Sequence, residues 1–281
     1  MLRVAIPNKG QLAEPARAML REAGYLQSVS QEKLVIQDPV NDAEFFFLRP
    51  KDVATYVGSG MLDVGITGRD MLLDSQATAQ EVLQLGFGGS TFRLAAPKGT
   101  ANSIQDLNGK RIACSYPTLL QRWLDDAGIK ASIVKLDGAV ENAVALGVAD
   151  WVADVVATGT TLRQAGLEIV GDPLLESEAI VIQPSTSTSN PAVDTLLRRL
   201  NGVMVARAYV LVDYDIKRDQ LQAACDLTPG IESPTISDLA DPNWVAVRAM
   251  VEKREVHGVM DSLYEMGARG IIVTDIRACR L

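Results

Sequence analysis

Residues 141–162 read ENAVALGVADWVADVVATGTTL. The β-branched, apolar run WVADVV predicts a buried strand over 151–156. It runs into Ala157-Thr158-Gly159-Thr160-Thr161 and then a helix beginning near Leu162. A strand that turns through a glycine into a helix start leaves free N–H groups converging on one point, which is a cradle for a phosphate or another oxyanion. Gly159 permits the sharp turn, and the threonine hydroxyls add donors to the anion as well as capping the helix. Asp154, four residues before Thr158, is spaced to aim a carboxylate at whatever carries that phosphate. A sugar diol is the natural partner, because one carboxylate accepts two hydroxyl hydrogen bonds. Glu141, on the preceding helix, is placed to supply a second carboxylate. The alternative is a plain helix cap that binds nothing.

Working outward, the same strand-then-helix rhythm fills most of the chain. LRVAI (2–6) precedes an amphipathic helix over 11–24, with Leu12, Ala16, Met19, Leu20 and Ala23 on one face and Gly24 as its stop. EFFFL (44–48), a helix from Pro50 to near Gly58, LDVGIT (62–67) and a short helix from Arg69 follow. A second series comprises RIACSY, 118–127, SIVKL, 139–147, WVADVV and 160–165. Such alternation predicts α/β lobes with parallel sheets. After EAIVIQ comes the Ser/Thr-rich stretch QPSTSTSNP, then a helix that Asn190 caps and Pro191 opens. The last seventy or so residues change to a βαββαβ order, the ferredoxin-like pattern. The expected division is a first lobe of 1–90 plus 184–211, a second lobe of 91–183 carrying the phosphate loop, and a tail domain of 212–281.

The chain has 281 residues, 47% hydrophobic and 22% charged, enough for a substantial core without staples. Its net charge is −8 with no Lys/Arg-rich block, which argues against coating nucleic acid. Three dispersed cysteines exclude a disulfide framework and any CxxC pair, and a reducing cytoplasm is the simplest compartment. The stretch LRVAI is too short for the core of a secretory leader, and no run approaches a membrane span. The single histidine, His257, removes Ser-His-Asp and His-rich metal chemistry. Chemistry is left to carboxylates, cations, hydroxyls and backbone.

The spacing Glu141-x5-Gly147-x-Ala149-x2-Val152-x-Asp154-Val155-x2-Thr158-Gly159-x-Thr161-Leu162 resembles the signature of the ATP phosphoribosyltransferases. RVAIPNKGQL, FFFLRPKDVATYVGSG, LDVGITGRD and TPGIESPTI are similar to the same family, so the resemblance spans essentially the whole chain. The βαββαβ tail makes it similar to the long form. The resemblance implies two catalytic lobes of the type II periplasmic-binding-protein kind and a C-terminal regulatory domain. It implies the condensation of ATP with 5-phosphoribosyl pyrophosphate (PRPP), the first step of histidine biosynthesis, with Mg²⁺ as cofactor and histidine as inhibitor. It implies a homo-oligomer, dimer to hexamer, with no membrane or nucleic-acid partner.

On that reading Glu141 and Asp154 grip the ribose diol, and Ala157, Thr158, Gly159, Thr160 and Thr161 hold the 5-phosphate. Lys9 and Gly10, at the first strand-to-helix turn, and Arg49 and Lys51, beside Pro50, lie beyond strand ends where α/β sheets place their sites. The resemblance associates Arg49 with the leaving pyrophosphate. Asp70 opens a helix, where it either complements the dipole or meets a nucleotide or metal. Asp215, Ser233 and Thr235 in the tail resemble a histidine pocket, and otherwise read as a turn cap and two turn hydroxyls. Two rivals stay open: a solute-binding protein on the same lobes, and another phosphoribosyltransferase. The usual loop of the latter carries two adjacent acids, whereas Ala153 precedes Asp154 here.

Overall fold

The first sheet and its helices take in β1 (Leu2–Pro7), α1 (Ala13–Glu22), β2 (Val35–Asp38), β3 (Ala43–Leu48), α2 (Pro50–Gly58), β4 (Val64–Gly68), α3 (Arg69–Ser75) and β5 (Ala79–Gln84). In this computed structural model, which describes residues 1–27, 34–101, 103–186 and 189–280, the chain then crosses into a second sheet. That sheet is built from β6 (Ser90–Pro97), β7 (Arg111–Cys114), α4 (Pro117–Asp126), β8 (Ser132–Lys135), α5 (Asn142–Ala145), β9 (Trp151–Val156), α6 (Thr160–Gln164) and β10 (Leu167–Ser177). The chain crosses back with β11 (Ala179–Pro184), which pairs with β4 and β5. The strand orders are β2-β3-β1-β4-β11-β5 and β10-β6-β9-β7-β8. These are two lobes of the periplasmic-binding-protein type, linked by two strand crossings.

Three expectations need correction. The sheets are mixed: β1 runs parallel to β3 and β4, and β7 parallel to β8 and β9, but β2, β5, β6, β10 and β11 enter antiparallel. A strand that crosses between lobes arrives without a crossover helix, so it is free to pair antiparallel. The second lobe therefore ends at Ser177 and not at 183, because β11 completes the first sheet. The helix expected over 139–147 shrinks to the single turn of α5. Three strands carried no clear signal, β2, β5 and β10. In β10 Gly171 and Pro173 interrupt the run, and the strand survives them as a sheet edge with a register shift between Val170 and Leu175.

Each lobe has its own core. Val53, Val57, Leu62, Ile180 and Ile182 are buried under the first sheet, and Phe92, Leu94, Leu107, Ile112, Leu120 and Trp151 in the second. Complete burial of one such side chain stabilises by about 1.5–3 kcal/mol. Cys114 is one of these buried residues, and burial pushes its thiol up to about 12, so it behaves as a small hydrophobe. Asn190 caps α7 (Pro191–Ala208) by accepting the Ala192 N–H at 3.0 Å. Ser187 and Thr188 of the preceding Ser/Thr stretch lie outside the described residues.

The chain forms two compact units, residues 1–18 with 25–194, and 19–24 with 195–281. Most of α7 thus groups with the tail, a departure from the expected first lobe of 1–90 plus 184–211. The tail adds β12 (Tyr209–Lys217), α8 (Leu221–Leu227), β13 (Thr235–Asp238), β14 (Trp244–Glu252), α9 (Val256–Glu265) and β15 (Arg269–Asp275). Its antiparallel order β13-β14-β12-β15 is that of the expected ferredoxin-like module. Val210, Val212, Tyr214 and Ile216 alternate inward along β12, so Asp213 and Asp215 share the opposite face. His257 is exposed on α9.

Candidate active site

Strand β9 is buried from Trp151 to Ala153 and emerges at Asp154: β7 flanks it only from Trp151 to Ala153, whereas β6 runs beside it as far as Val156. The chain then turns through Gly159, whose φ of +71° is costly for a residue with a Cβ. Thr160, Thr161 and Leu162 begin α6, so their N–H groups have no intrahelical acceptor. Glu141, Asp154, Ala157, Thr158, Gly159, Thr160 and Thr161 all line one cavity of about 260 Å³. The two carboxylates and the loop predicted to act together are therefore brought together. The threonines do not cap the helix through their side chains. Thr158 Oγ1 and Thr160 Oγ1 lie 3.0 Å apart, and Arg163 Nη2 donates to the Thr158 carbonyl at 3.0 Å and to Thr160 Oγ1 at 3.3 Å. That guanidinium holds the loop's shape and adds positive charge beside the cradle.

Asp154 is an unusual carboxylate. Burial pushes it up to about 6, the Val155 N–H at 2.8 Å opposes that, and the Glu141 charge raises it further. Lys51 pulls it down and Asp70 pushes it up. A group held near neutrality in a polar cavity is poised to change its charge when a ligand arrives.

A second, smaller cavity of about 70 Å³ is lined by Lys9, Gly10, Leu12, Pro50, Gly68, Asp70, Met71, Gly88, Ser90, Tyr116 and Ser177. Gln11 and Val155 line both cavities, so the two adjoin. Asp70 is buried and not a surface dipole partner: Ser177 Oγ donates to its Oδ1 at 2.7 Å and accepts its N–H at 3.1 Å. Lys51 reaches across from α2 to the second lobe, donating to the Ser115 carbonyl at 2.9 Å with its Nζ 5.0 Å from the Tyr116 ring centre. Arg49 occupies the N-cap position of α2, exposed and without a side-chain cap bond, and lines neither cavity. Lys51 lines neither cavity itself but packs against Tyr116, which lines the smaller one, whereas Arg49 is left apart. Gln11, Tyr116 and Ser177 are the residues that sequence reasoning missed. Gln11 follows Lys9-Gly10 directly and was legible from position alone, whereas Tyr116 and Ser177 reach the cavity only through tertiary packing.

In the tail, Thr235 pairs with Arg248 across β13 and β14, and Arg248 with Asp213 across β14 and β12. Arg248 Nε donates to Asp213 Oδ1 at 2.6 Å. Asp215 lies opposite Ala246 and Arg269 on the same sheet face as Asp213. Ser233, just before β13, is exposed and donates to the Pro234 carbonyl at 3.4 Å.

A family profile described as ATP phosphoribosyltransferase matches residues 49–202, and a profile described as HisG, C-terminal domain, matches residues 206–278. An ATP phosphoribosyltransferase of Pseudarthrobacter chlorophenolicus is 58% identical over 284 residues, covering 100% of both chains. One from Salinispora tropica is 58% identical over 281 residues with the same coverage. Among solved structures, the ATP phosphoribosyl transferase (HisG:HisZ) complex from Thermotoga maritima aligns with a TM-score of 0.64 at 31% identity, over 73% of this chain and 98% of that one.

Proposed function

The chain belongs to the ATP phosphoribosyltransferase family, and from that premise we propose a division of labour among its residues. The reaction joins ATP to PRPP, with the adenine N1 displacing pyrophosphate from ribose C1, and opens histidine biosynthesis. A ring nitrogen is already a nucleophile, so the protein must align it with C1 and stabilise a cationic ribosyl centre and an anionic leaving group. No histidine base is required, which suits a chain with one exposed histidine.

The 260 Å³ cavity that unites an N–H-rich loop with two carboxylates carries the assignment. Residues Ala157 to Thr161 hold the 5-phosphate. Glu141 and Asp154 accept the ribose hydroxyls and favour positive charge as it develops on the ring. Lys9, Lys51 and Arg49 supply cations toward the pyrophosphate. Among the described residues no group of three or more His, Cys, Asp or Glu is placed to hold a metal. Two carboxylates beside a phosphate cradle suit Mg²⁺ held mainly by substrate phosphates, the usual manner for this ion. So held, Mg²⁺ would supply positive charge to the leaving pyrophosphate, alongside Lys9, Lys51 and Arg49. The assignment is tested by PRPP binding and pyrophosphate release in Asp154→Asn, where loss of both supports it and wild-type values refute it.

The tail is the regulatory domain in this reading. Asp215 takes the cationic end of histidine, and Thr235, Ser233 and backbone groups take the rest. Arg248, beside Thr235, suits its carboxylate. Histidine then favours a more compact, less active hexamer assembled from dimers. Among the described residues no helix is long and apolar enough to cross a membrane, and the proposed compartment is the cytoplasm.

A further inference from the structure

The cavity proposed to hold the ribose 5-phosphate is lined by two carboxylates, Glu141 and Asp154, and, among the described residues, by no lysine or arginine. A phosphate monoester brings about −1.5 to −2 of charge at neutral pH. Beside two acids, such an anion gains from every hydrogen the loop presents and loses from every lone pair. The threonine hydroxyls are ambivalent, because each carries one hydrogen and two lone pairs. Thr158 Oγ1 and Thr160 Oγ1 lie 3.0 Å apart. One hydrogen is thus engaged between them, and one is left over whichever of the two donates.

Behind the loop stands Arg163, which does not line the cavity. Its backbone N–H is donated to the Gly159 carbonyl at 3.1 Å. Its side chain folds back, so that Nη2 donates to the Thr158 carbonyl at 3.0 Å and to Thr160 Oγ1 at 3.3 Å. A Cβ built at Gly159 would stand 3.3 Å from Arg163 Nη1, which places the guanidinium over the crown of the turn. A guanidinium only donates. It therefore occupies lone pairs of the loop and cannot take the leftover hydroxyl hydrogen, which stays available to the cavity. A glutamine at the same place would offer that hydrogen an acceptor.

We propose that Arg163 is a positioning residue for PRPP: acting through Thr158 and Thr160, it biases the loop to present hydrogen-bond donors to the 5-phosphate and brings the positive charge that the lining lacks. The inference rests on the 5-phosphate lying at Ala157 to Thr161.

The test is equilibrium binding of PRPP to the wild-type protein and to Arg163→Lys, Arg163→Gln, Arg163→Met and Thr160→Val, each with its melting temperature. Lysine keeps a cation that only donates, whereas glutamine can still brace the loop but is neutral and can accept. Arg163→Gln and Arg163→Met should each raise the PRPP Kd by about fivefold to tenfold, and Arg163→Lys by no more than about threefold. Thr160→Val should weaken PRPP binding by a similar factor. The double variant Arg163→Met with Thr160→Val should lose less than the product of the two effects, because both act on one hydrogen-bond chain. A brace with no electrostatic part predicts the opposite order, glutamine near wild type and lysine near methionine. That order, an additive double variant, or unchanged affinity in Arg163→Met overturns the proposal. Loss in Thr160→Val with none in Arg163→Met removes Arg163 alone and leaves the phosphate at the loop. Unchanged affinity in Thr160→Val removes the phosphate from the loop, and the inference with it.

Discussion

Asp74 Oδ1 accepts the backbone N–H of Thr118 at 2.9 Å, and that of Leu119 at 3.0 Å, so a side chain from α3 in the first lobe caps α4 in the second. Helix α4 has no capping side chain of its own at Tyr116, and Met71, one turn earlier on α3, packs against the second lobe's core. The cap also fixes the Ser115-Tyr116 segment that Lys51 grips. Replacement of Asp74 by Ala should cost about 1 kcal/mol of stability, the usual value of a lost N-cap. Thermal unfolding measures it, and an unchanged melting temperature would show that the cap contributes nothing.

Loss of the Asp154 charge should remove a partner that acts most strongly as the ribose becomes cationic. Asp154→Asn should cost roughly 2–4 kcal/mol of transition-state stabilisation, the range for one preorganised electrostatic contact. Steady-state pyrophosphate release measures it, and wild-type turnover would remove the assignment.

The same residue sets a pH dependence of definite sign. Its carboxyl is raised in the folded protein from 3.8 to about 6, so the folded state binds more protons than the unfolded chain between those values. Asp154 therefore favours the fold below about pH 4, and that relative contribution is lost as pH rises through about 6, by roughly 2–3 kcal/mol. At neutral pH Asp154→Asn should melt higher than the wild-type protein, with the difference shrinking on acidification. Activity runs the other way: kcat/KM for PRPP should rise with pH through about 6 as the carboxylate becomes available. A melting difference that grows on acidification would contradict the buried position.

Arg49, exposed at the head of α2, is proposed to act as the pyrophosphate leaves. Arg49→Ala should lower kcat more than it raises the ATP KM, and Arg49→Lys should restore activity only in part, lacking the planar fork. An effect confined to the ATP KM would make it a ground-state binder.

In the tail, Thr235→Ala and Asp215→Lys should weaken inhibition by histidine and leave uninhibited activity near normal, because no residue of the proposed chemistry lies there. Inhibition curves with and without histidine measure this. Unchanged curves in both variants would place the regulatory pocket elsewhere.

Much of this protein is written locally. The strand 151–156, the helix opened by Pro50, the Asn190 cap and the βαββαβ tail each follow from short-range chemistry: β-branched runs, a proline at a first turn, an accepting side chain before a helix, inward alternation along β12. The loop from Ala157 to Thr161 with Asp154 and Glu141 is local in the same sense, since all of it lies within twenty-one residues. What the linear order does not contain is pairing between distant segments. Strand β11 belongs with β4 and β5, more than ninety residues away. That pairing adds antiparallel strands to the first sheet, and it brings Ser177, at the end of β10, onto Asp70, 107 positions away in the sequence. Tyr116 lies at the head of α4, which is pinned by Asp74 from the other lobe. Hydrogen-bond partners and burial are properties of the packed chain: a carboxylate such as Asp70 or Asp154 reads the same in any sequence, and only the surfaces folded around it decide whether it is a solvated charge or a buried hydrogen-bonding group.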